Sequence, residues 1–471
     1  MTGGRSGLSS TAMATAVPDE IFKAYDIRGL YGEQIDGDVA EQVGRAFARV
    51  LARLRGKPAS ALRIGLGRDM RLSAPELSAR YRDGMVGEGA HVLDAGMVGT
   101  EMLYFLVGSR ALDGGLMCTA SHNPKAYTGA KLVREGALAL SGDAGIGDIR
   151  ALIAEGLPEP AAAPGSVEQV DVYPEFRRHV MSFVDRSAIR PLKVVLDGGN
   201  GMAGPMVGPI LERLDGLELV PACWEPDGEF PDHEPNPLLP ENRRFVIEKV
   251  LAERADLGIA WDGDGDRCFF IDGDGEFVDG DFLCALLARS VLEAHPGADI
   301  LYDVRASRAV PDTVRAAGGR ALVNRVGHAF FKARMREQGG VFGGEVSGHY
   351  YFADFYNADS GTLPALLILE LLGKTGRTLA QLLEPYRSRY FISGEINSEV
   401  SDQAAKLVAI RARYGDAEIG ELDGVSVDYD DWHFNVRPSN TEPLLRLCLE
   451  SLVSREHMEA KRDEVLSLIR S

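Results

Sequence analysis

The chain is short of cysteine and of positive charge, and no long apolar run interrupts it. Its five cysteines, at 118, 223, 268, 284 and 448, include no C-x-x-C pair. An odd and widely spaced set builds neither a disulfide framework nor a thiolate zinc site, and it reads as a reduced, cytoplasmic protein. Lys and Arg number 51 against 70 Asp and Glu in 471 residues, a net charge of −19. Such a surface repels nucleic acid and anionic membranes alike. Small molecules remain as the expected partners, and phosphorylated ones need a basic patch inside a cleft. No apolar stretch approaches the ~20 residues of a membrane span, since Glu370 breaks the longest candidate, which starts at Leu363. Residues 1–17 carry Arg5 as their one charge. They lack the apolar core of about 7–15 residues that a secretion signal needs, and read as a disordered tail.

What is present is the composition of a packed protein: 45% hydrophobic and 26% charged residues, enough apolar surface to offset chain entropy. At one domain per ~150 residues the length implies about three domains, give or take one. Strand and helix patterns alternate from about residue 20 to about 385. Leu62–Leu66, Lys193–Leu196, Leu257–Trp261 and Ile300–Tyr302 are short and apolar, as buried parallel strands in βαβ units are. Three of them run into Arg68-Asp69, Asp197-Gly198-Gly199 and Asp303-Val304-Arg305. Polar residues past the carboxyl end of parallel strands are where α/β folds hold ligands, and the likeness of these ends implies a weak threefold repeat. The last ~85 residues differ, because Gly424–Tyr429, His433–Arg437 and Leu444–Glu450 alternate in polarity as antiparallel strands do. A helix from Arg455 to Ile469 closes the chain, while Pro160–Gly165 reads as a linker and Pro226–Pro240 as a long surface loop.

Four loops have the residue types that chemistry needs. Asp262-Gly263-Asp264-Gly265-Asp266-Arg267 follows a strand directly, and alternating glycines let a tight turn aim three carboxylates at one point. That is a hard-cation site suited to Mg²⁺ shared with a phosphate, or else a solvated acidic turn. An EF-hand is excluded, because Arg267 and Gly273 stand where Gly and Glu are needed. The loop is expected near the surface, where exchanging one carboxylate costs little stability. Thr119-Ala120-Ser121-His122-Asn123-Pro124 offers Ser121 as a nucleophile or phosphoryl acceptor, against the plainer reading of an Asn-Pro turn. Arg437-Pro438-Ser439-Asn440-Thr441-Glu442-Pro443 sets a guanidinium fork among neutral donors, as a phosphate site or as a polar hairpin loop. Gly343-Gly344-Glu345-Val346-Ser347-Gly348-His349 exposes Glu345, Ser347 and His349 at alternate positions, a mixture that suits sugar hydroxyls and equally a strand-to-turn junction.

These four loops, in this order, resemble those of the α-D-phosphohexomutase family, and within it the phosphomannomutase/phosphoglucomutase branch. The resemblance starts with Lys23-Ala24-Tyr25-Asp26-Ile27-Arg28-Gly29 and extends to the C-terminus. It implies three mixed α/β domains with mainly parallel sheets (18–166, 167–276 and 277–388) and a smaller α+β domain (389–471) around a central cleft. It further implies that Ser121 carries a phosphoryl group and holds Mg²⁺ together with Asp262, Asp264 and Asp266. Glu345 and Ser347 then contact the sugar, and Arg437, Ser439, Asn440 and Thr441 grip the phosphate that is not transferred. Tyr25, Arg28, His122, Lys131, Arg267, His328 and His349 match cleft positions, with Lys131 and His349 left as alternative proton carriers. Arg305 stands where many relatives have Lys. The implied reaction converts hexose 1-phosphate to hexose 6-phosphate in a monomer or homodimer, with a hexose 1,6-bisphosphate as intermediate and activator.

Two readings from other classes compete. Gly199-Asn200-Gly201-Met202-Ala203-Gly204 follows a strand and matches the dinucleotide fingerprint, with Glu218 or Glu225 as the ribose acid. A noncatalytic sugar-phosphate binding protein is the other. Within the family, phosphoglucosamine mutases usually carry Gly where Asn440 stands, so the chain leans away from them. Gly373-Lys374-Thr375 is no P-loop, since Ile368 replaces its first glycine.

Overall fold

The structure, a computed structural model, describes residues 17–142, 145–439 and 444–471. Residues 1–16 of the expected tail, and Asn440 and Thr441 of the C-terminal loop, lie outside the described residues.

Three of the four sheets share one plan. In the first, Arg63–Arg68 lies between two parallel neighbours, His91–Met97 and Gly114–Cys118, and Tyr127–Arg134 runs antiparallel beside the latter. Leu192–Asp197, Leu217–Ala222, Leu257–Trp261 and Cys268–Asp272 take the same positions and directions in the second. Asp299–Asp303, Arg320–Asn324, Phe342–Gly344 and Tyr350–Phe352 take them in the third. The threefold repeat is thus one of topology, with a parallel core and an antiparallel fourth strand each time. Leu257–Trp261 is buried at every position, which is why its sequence reads as an unbroken apolar run.

The sheets differ at their edges. The first gains Ile27–Leu30 beside Tyr127–Arg134, and Val167–Gln169 beside His91–Met97. Val167–Gln169, expected to open the second domain, therefore completes the first sheet. The stretch Pro160–Gly165 is not a free linker either. Ala161 and Gly165 donate their amides to the carbonyls of Gly87 (3.0 Å) and Val86 (2.8 Å), which straps the segment to the end of the helix Ala74–Gly87.

The fourth sheet is wholly antiparallel, in the order Phe391–Glu399, Leu444–Ser451, Trp432–Pro438, Val425–Asp428 and Glu418–Gly420. The helix Arg455–Arg470 packs on it, capped by the Ser454 hydroxyl, which accepts from the His457 amide. This unit has its own core around Tyr414, Phe434, Leu447 and Val465. By contrast, one apolar cluster runs through the other three units, joining Leu103, Met206, Trp261, Phe282 and Leu366.

Polar pins reinforce that shared core. Trp261 Nε1 donates to the Gly361 carbonyl (2.9 Å), and the Thr100 amide donates to the Asp264 carbonyl (3.0 Å). The side chain of Glu101 accepts from the hydroxyls of Ser360 and Thr362. Burial pushes the Glu101 carboxyl up to about 8, against about 4.3 in an unfolded chain. The folded state thus holds a proton that the unfolded state releases, so this group's contribution to stability falls as pH rises between those values. Glu101→Gln should therefore gain on the wild type by on the order of a few kcal/mol from pH 5 to pH 9. Thermal unfolding of both proteins across that range measures the gap, and a gap independent of pH would refute the buried neutral acid.

Candidate active site

Three of the four chemistry-bearing loops are one and the same connection, used once in each α/β unit. Each joins the third parallel strand of a unit to its antiparallel fourth strand. Ser121 and His122 lie between Gly114–Cys118 and Tyr127–Arg134, and the Asp262–Arg267 loop between Leu257–Trp261 and Cys268–Asp272. Glu345, Ser347 and His349 lie between Phe342–Gly344 and Tyr350–Phe352. The neighbouring strand ends brace these loops. Asp69, Asp197 and Asp303 each accept the amide two residues on, from Arg71 (3.0 Å), Gly199 (3.0 Å) and Arg305 (2.8 Å). Asp69 also accepts from the Thr119 hydroxyl (2.7 Å) and Asp303 from the Val346 amide (3.0 Å). In the second unit Asp197 pairs instead with His233 (3.1 Å).

Ser121 sits in the left-handed region, at φ 49°, a conformation that costs a non-glycine residue and persists only where its surroundings enforce it. Here they do. Buried Arg71 donates to the carbonyls of Ser121 (2.9 Å), Asn123 (2.6 Å), Pro124 (3.0 Å) and Tyr127 (3.1 Å). The Ser121 amide donates to the Thr119 hydroxyl (2.8 Å). So held, Ser121 Oγ lies 3.0 Å from Asp262 Oδ2 and 3.1 Å from His122 Nδ1.

Asp262, Asp264 and Asp266 each offer an oxygen within 4.8 Å of the others, and all three are buried. The expectation of a loop near the surface is thereby corrected: the shared core closes over it. Two cations compensate the charge, one from another unit and one from the loop itself. Lys131, on the antiparallel strand of the first unit, reaches Asp264 (2.6 Å) and Asp266 (2.5 Å), and Arg267 Nε donates to Asp262 (2.9 Å). Thr100 Oγ1 donates to Asp264 as well. Burial pushes Asp262 and Asp266 up, and Asp264 adds repulsion to both. Burial acts most strongly on Asp264 too, but Lys131 together with the hydroxyls of Thr100 and Ser121 outweighs it and holds this carboxyl below its ordinary range. Reciprocally, the carboxylates raise Lys131 despite its burial. Among the described residues, Asp264 Oδ1 and Asp266 Oδ1 are buried and accept nothing. Unfilled hard oxygens in that arrangement fit a divalent cation such as Mg²⁺.

Contacts continue from this cluster to the C-terminal unit. His349 Nε2 lies 3.9 Å from Asp266 Oδ1, and its Nδ1 lies 3.2 Å from Ser347 Oγ. Burial lowers His122 and His349 well below the usual imidazole range and His328 to about 3. Tyr25 packs edge-on against His328, with ring centroids 5.4 Å apart, and Arg28 donates to Asn123 Oδ1 (3.1 Å). Glu345, which burial pushes up to about 7, accepts from Tyr351 Oη (2.5 Å) and the Gly327 amide (3.0 Å). Arg305 forks onto Asp303 (3.0 and 2.9 Å), approaches Glu345 (3.6 Å) and reaches Glu395 (3.2 Å). Glu395 in turn meets Arg437 (3.1 Å) and Arg446 (2.9 Å). Ser439 follows at the end of that strand.

The structure thus gathers the described residues expected in the cleft, while Glu218 of the dinucleotide reading lies apart, paired with Lys193 at the surface. Thr100, Arg71, Glu395 and Arg446 escaped notice, and Asp69 was marked only as a polar strand end. Only the first pair of strand ends carried a hint, since Asp69-Met70-Arg71 and Asp303-Val304-Arg305 share a pattern. The Gly199–Gly204 fingerprint has another cause. A Cβ on Gly201 would stand 2.6 Å from the Gly263 carbonyl oxygen, and one on Gly204 1.9 Å from that of Trp224. These glycines seat the carboxylate loop against its neighbours rather than a pyrophosphate on a helix.

Known proteins share this arrangement. Family models described as phosphoglucomutase/phosphomannomutase alpha/beta/alpha domains I, II and III match residues 19–157, 172–275 and 279–390, and the C-terminal domain model matches 395–468. A protein named phosphomannomutase from Salmonella montevideo is 42% identical over 96% of this chain and 99% of its own. One named phosphohexose mutases, from Xanthomonas campestris pv. campestris, is 43% identical over 95% and 99% respectively. The crystal structure of a phosphoglucomutase/phosphomannomutase family protein from Burkholderia thailandensis superposes with a TM-score of 0.88 at 36% identity, over 96% of this chain and 97% of that one. With four domain models matched in order and relatives covered nearly end to end, the chain belongs to the phosphoglucomutase/phosphomannomutase family and is a phosphohexomutase.

Proposed function

We propose that the protein interconverts hexose 1-phosphates and hexose 6-phosphates of mannose and glucose through a phosphoserine at Ser121. The observation that carries this reading is the Ser121 hydroxyl, held in a strained turn 3.0 Å from Asp262 at the mouth of the buried carboxylate cluster. Asp262, Asp264, Asp266 and Ser121 would hold Mg²⁺, which supplies charge neutralisation for the transferring phosphoryl group. In the forward direction the phosphorus bonds to the 6-hydroxyl oxygen of a hexose 1-phosphate, which gives up its proton, as the phosphoserine P–O bond breaks and the serine oxygen takes up a proton. The product is a hexose 1,6-bisphosphate with unmodified Ser121. Return of the other phosphoryl group to Ser121 releases hexose 6-phosphate. Added hexose 1,6-bisphosphate acts as activator by reloading Ser121.

The remaining residues divide the labour. Arg437 and Ser439, with Asn440 and Thr441, grip the phosphate that is not transferred, while Glu345 and Ser347 orient sugar hydroxyls. Tyr25, Arg28, His122, Arg267, Arg305 and His328 line the cleft between. We assign proton acceptance to His349, whose Nε2 lies 3.9 Å from Asp266 Oδ1 and whose Nδ1 lies 3.2 Å from Ser347 Oγ. Lys131 would have to give up two carboxylates to serve, and they hold its proton firmly. A net charge of −19 fits a small anionic substrate admitted only where arginines gather, and we place the enzyme in the cytoplasm as a monomer or homodimer.

Three measurements test this reading. Intact mass of the active enzyme should show a fraction heavier by ~80 Da, a covalent phosphate, and peptide mapping should put it on Ser121; phosphate on another residue with Ser121 bare sinks the mechanism. Asp264→Asn should lower kcat by at least about 100-fold by removing transition-state charge stabilisation. It should also destabilise the fold by about 1–3 kcal/mol, since it unbalances a buried ion pair. Wild-type turnover at limiting Mg²⁺ would exclude Asp264 as a ligand. Arg437→Ala should cut kcat/KM for glucose 1-phosphate and mannose 1-phosphate roughly ten- to hundredfold, with Arg437→Lys recovering part. A coupled assay that adds glucosamine 1-phosphate separates this activity from that of a phosphoglucosamine mutase.

A further inference from the structure

Glu395 sits where a phosphate is expected, yet it is an acid. Three guanidiniums converge on its carboxylate: Arg305 at 3.2 Å from the third unit, and Arg437 at 3.1 Å and Arg446 at 2.9 Å from the fourth. A β-bulge puts it there. The pairing of Phe391–Glu399 with Leu444–Ser451 slips between Ile392 and Glu395, with Gly394 in the left-handed region at φ 67°. Such a bulge re-aims the next side chain, here into the gap between the C-terminal unit and the rest. The three arginines are not fully employed. Among the described residues, Arg437 Nε and Arg446 Nε are buried and donate to nothing, an unusual state for a guanidinium. Only Arg305 has a second fork partner, Asp303. With Arg305 also paired to Asp303, Arg437 and Arg446 are left to share the one carboxylate of Glu395, with donors and positive charge to spare.

We propose that Glu395 is the resident counter-anion of the phosphate site, holding Arg305, Arg437 and Arg446 when no phosphate is bound and taking them back each time one leaves. The inference rests on the reading of Arg437 as a phosphate ligand. Its consequence is kinetic. A mutase must let go of one end of the bisphosphate and take up the other without losing it. Stripping a phosphate from bare guanidiniums, those of Arg305 and Arg437 buried, leaves charges unpaired and is slow. With a carboxylate already at hand, one charge-assisted hydrogen bond is exchanged for another. Glu395 therefore weakens phosphate binding and speeds its departure. It touches no reacting atom and acts as a positioning residue through the arginines.

The test uses the full-length enzyme and Glu395→Gln, a near-isosteric change that removes the charge. Inorganic phosphate, titrated calorimetrically, should bind about tenfold more tightly, because binding no longer displaces a competing anion. With glucose 1-phosphate both KM and kcat should fall, kcat by about tenfold, because release becomes slower. The tighter phosphate binding should vanish in the double variant Glu395→Gln/Arg437→Ala. A merely structural tie predicts the opposite, weaker phosphate binding with a higher KM, and that result, or unchanged affinity in a folded variant, overturns the proposal. If Glu395→Gln does not fold, Glu395→Asp, with the charge drawn back by one methylene, should still bind phosphate about threefold more tightly, and wild-type affinity there is equally decisive. Should Arg437→Ala alone bind inorganic phosphate as the wild type does, the phosphate-site reading itself falls. Loss of binding in Arg437→Ala, without the gain in Glu395→Gln, condemns the counter-anion alone.

Discussion

The ion pair between Lys131 and the carboxylates of Asp264 and Asp266 is the constraint on which the site depends. Three buried acids whose oxygens lie within 4.8 Å of one another repel strongly in a medium that screens poorly. They are tolerable only while cations stay beside them, and the principal one, Lys131, belongs to a different unit of the fold. The second unit therefore cannot carry its acidic loop alone. Thr100, Trp261 and Glu101 pin the same junction, and a single apolar cluster fills it. Assembly of three units and assembly of the charged centre are one event.

Repetition explains how such a centre arises from simple parts. One four-strand plan occurs three times, and each time the connection into the antiparallel strand faces the common cleft. The scaffold fixes where that connection lies, and its residues fix what it does: a serine in the first unit, acids in the second, a sugar-suited set in the third. The aspartates at the centre-strand ends stiffen the arrangement, because Asp69 and Asp303 each bond both their own turn and the neighbouring functional loop. Placing reactive loops on a rigid scaffold in this way keeps their mutual geometry.

The fourth unit follows different physics. It has its own core and meets the others largely through charge, with Arg305 and Arg308 of the third unit engaging Glu395 and Asp428. Charged contacts of this kind exchange with water and ligands more readily than apolar packing does. A unit attached by them suits the part of the site that must take up and release an anion.

Much of this was legible in the sequence. Leu257–Trp261 forms with the expected bounds, because a short apolar run before a glycine-rich turn is a local signal. The polarity alternation of the last 85 or so residues marked the antiparallel sheet for the same reason. The motifs around Ser121, Asp262, Glu345 and Arg437 stood out because turn chemistry and reactive groups lie within a few neighbouring residues. What no local pattern reveals is which distant group compensates a buried charge. Lys131 and Asp264 are 133 residues apart, Glu101 and Ser360 259, and Arg305 and Glu395 90. Even where one partner lies in a conspicuous motif, as Asp264 and Arg305 do, nothing in it names the other. Burial of the acidic loop and the gathering of arginines on Glu395 follow from packing the units together, and the strain at Ser121 from Arg71 closing on the loop of its own unit. Sequence by itself determined the elements and the reactive side chains, whose causes are short-range. Only the tertiary structure decided how their charges are paired, because in a poorly screened interior that pairing is a property of the whole assembly.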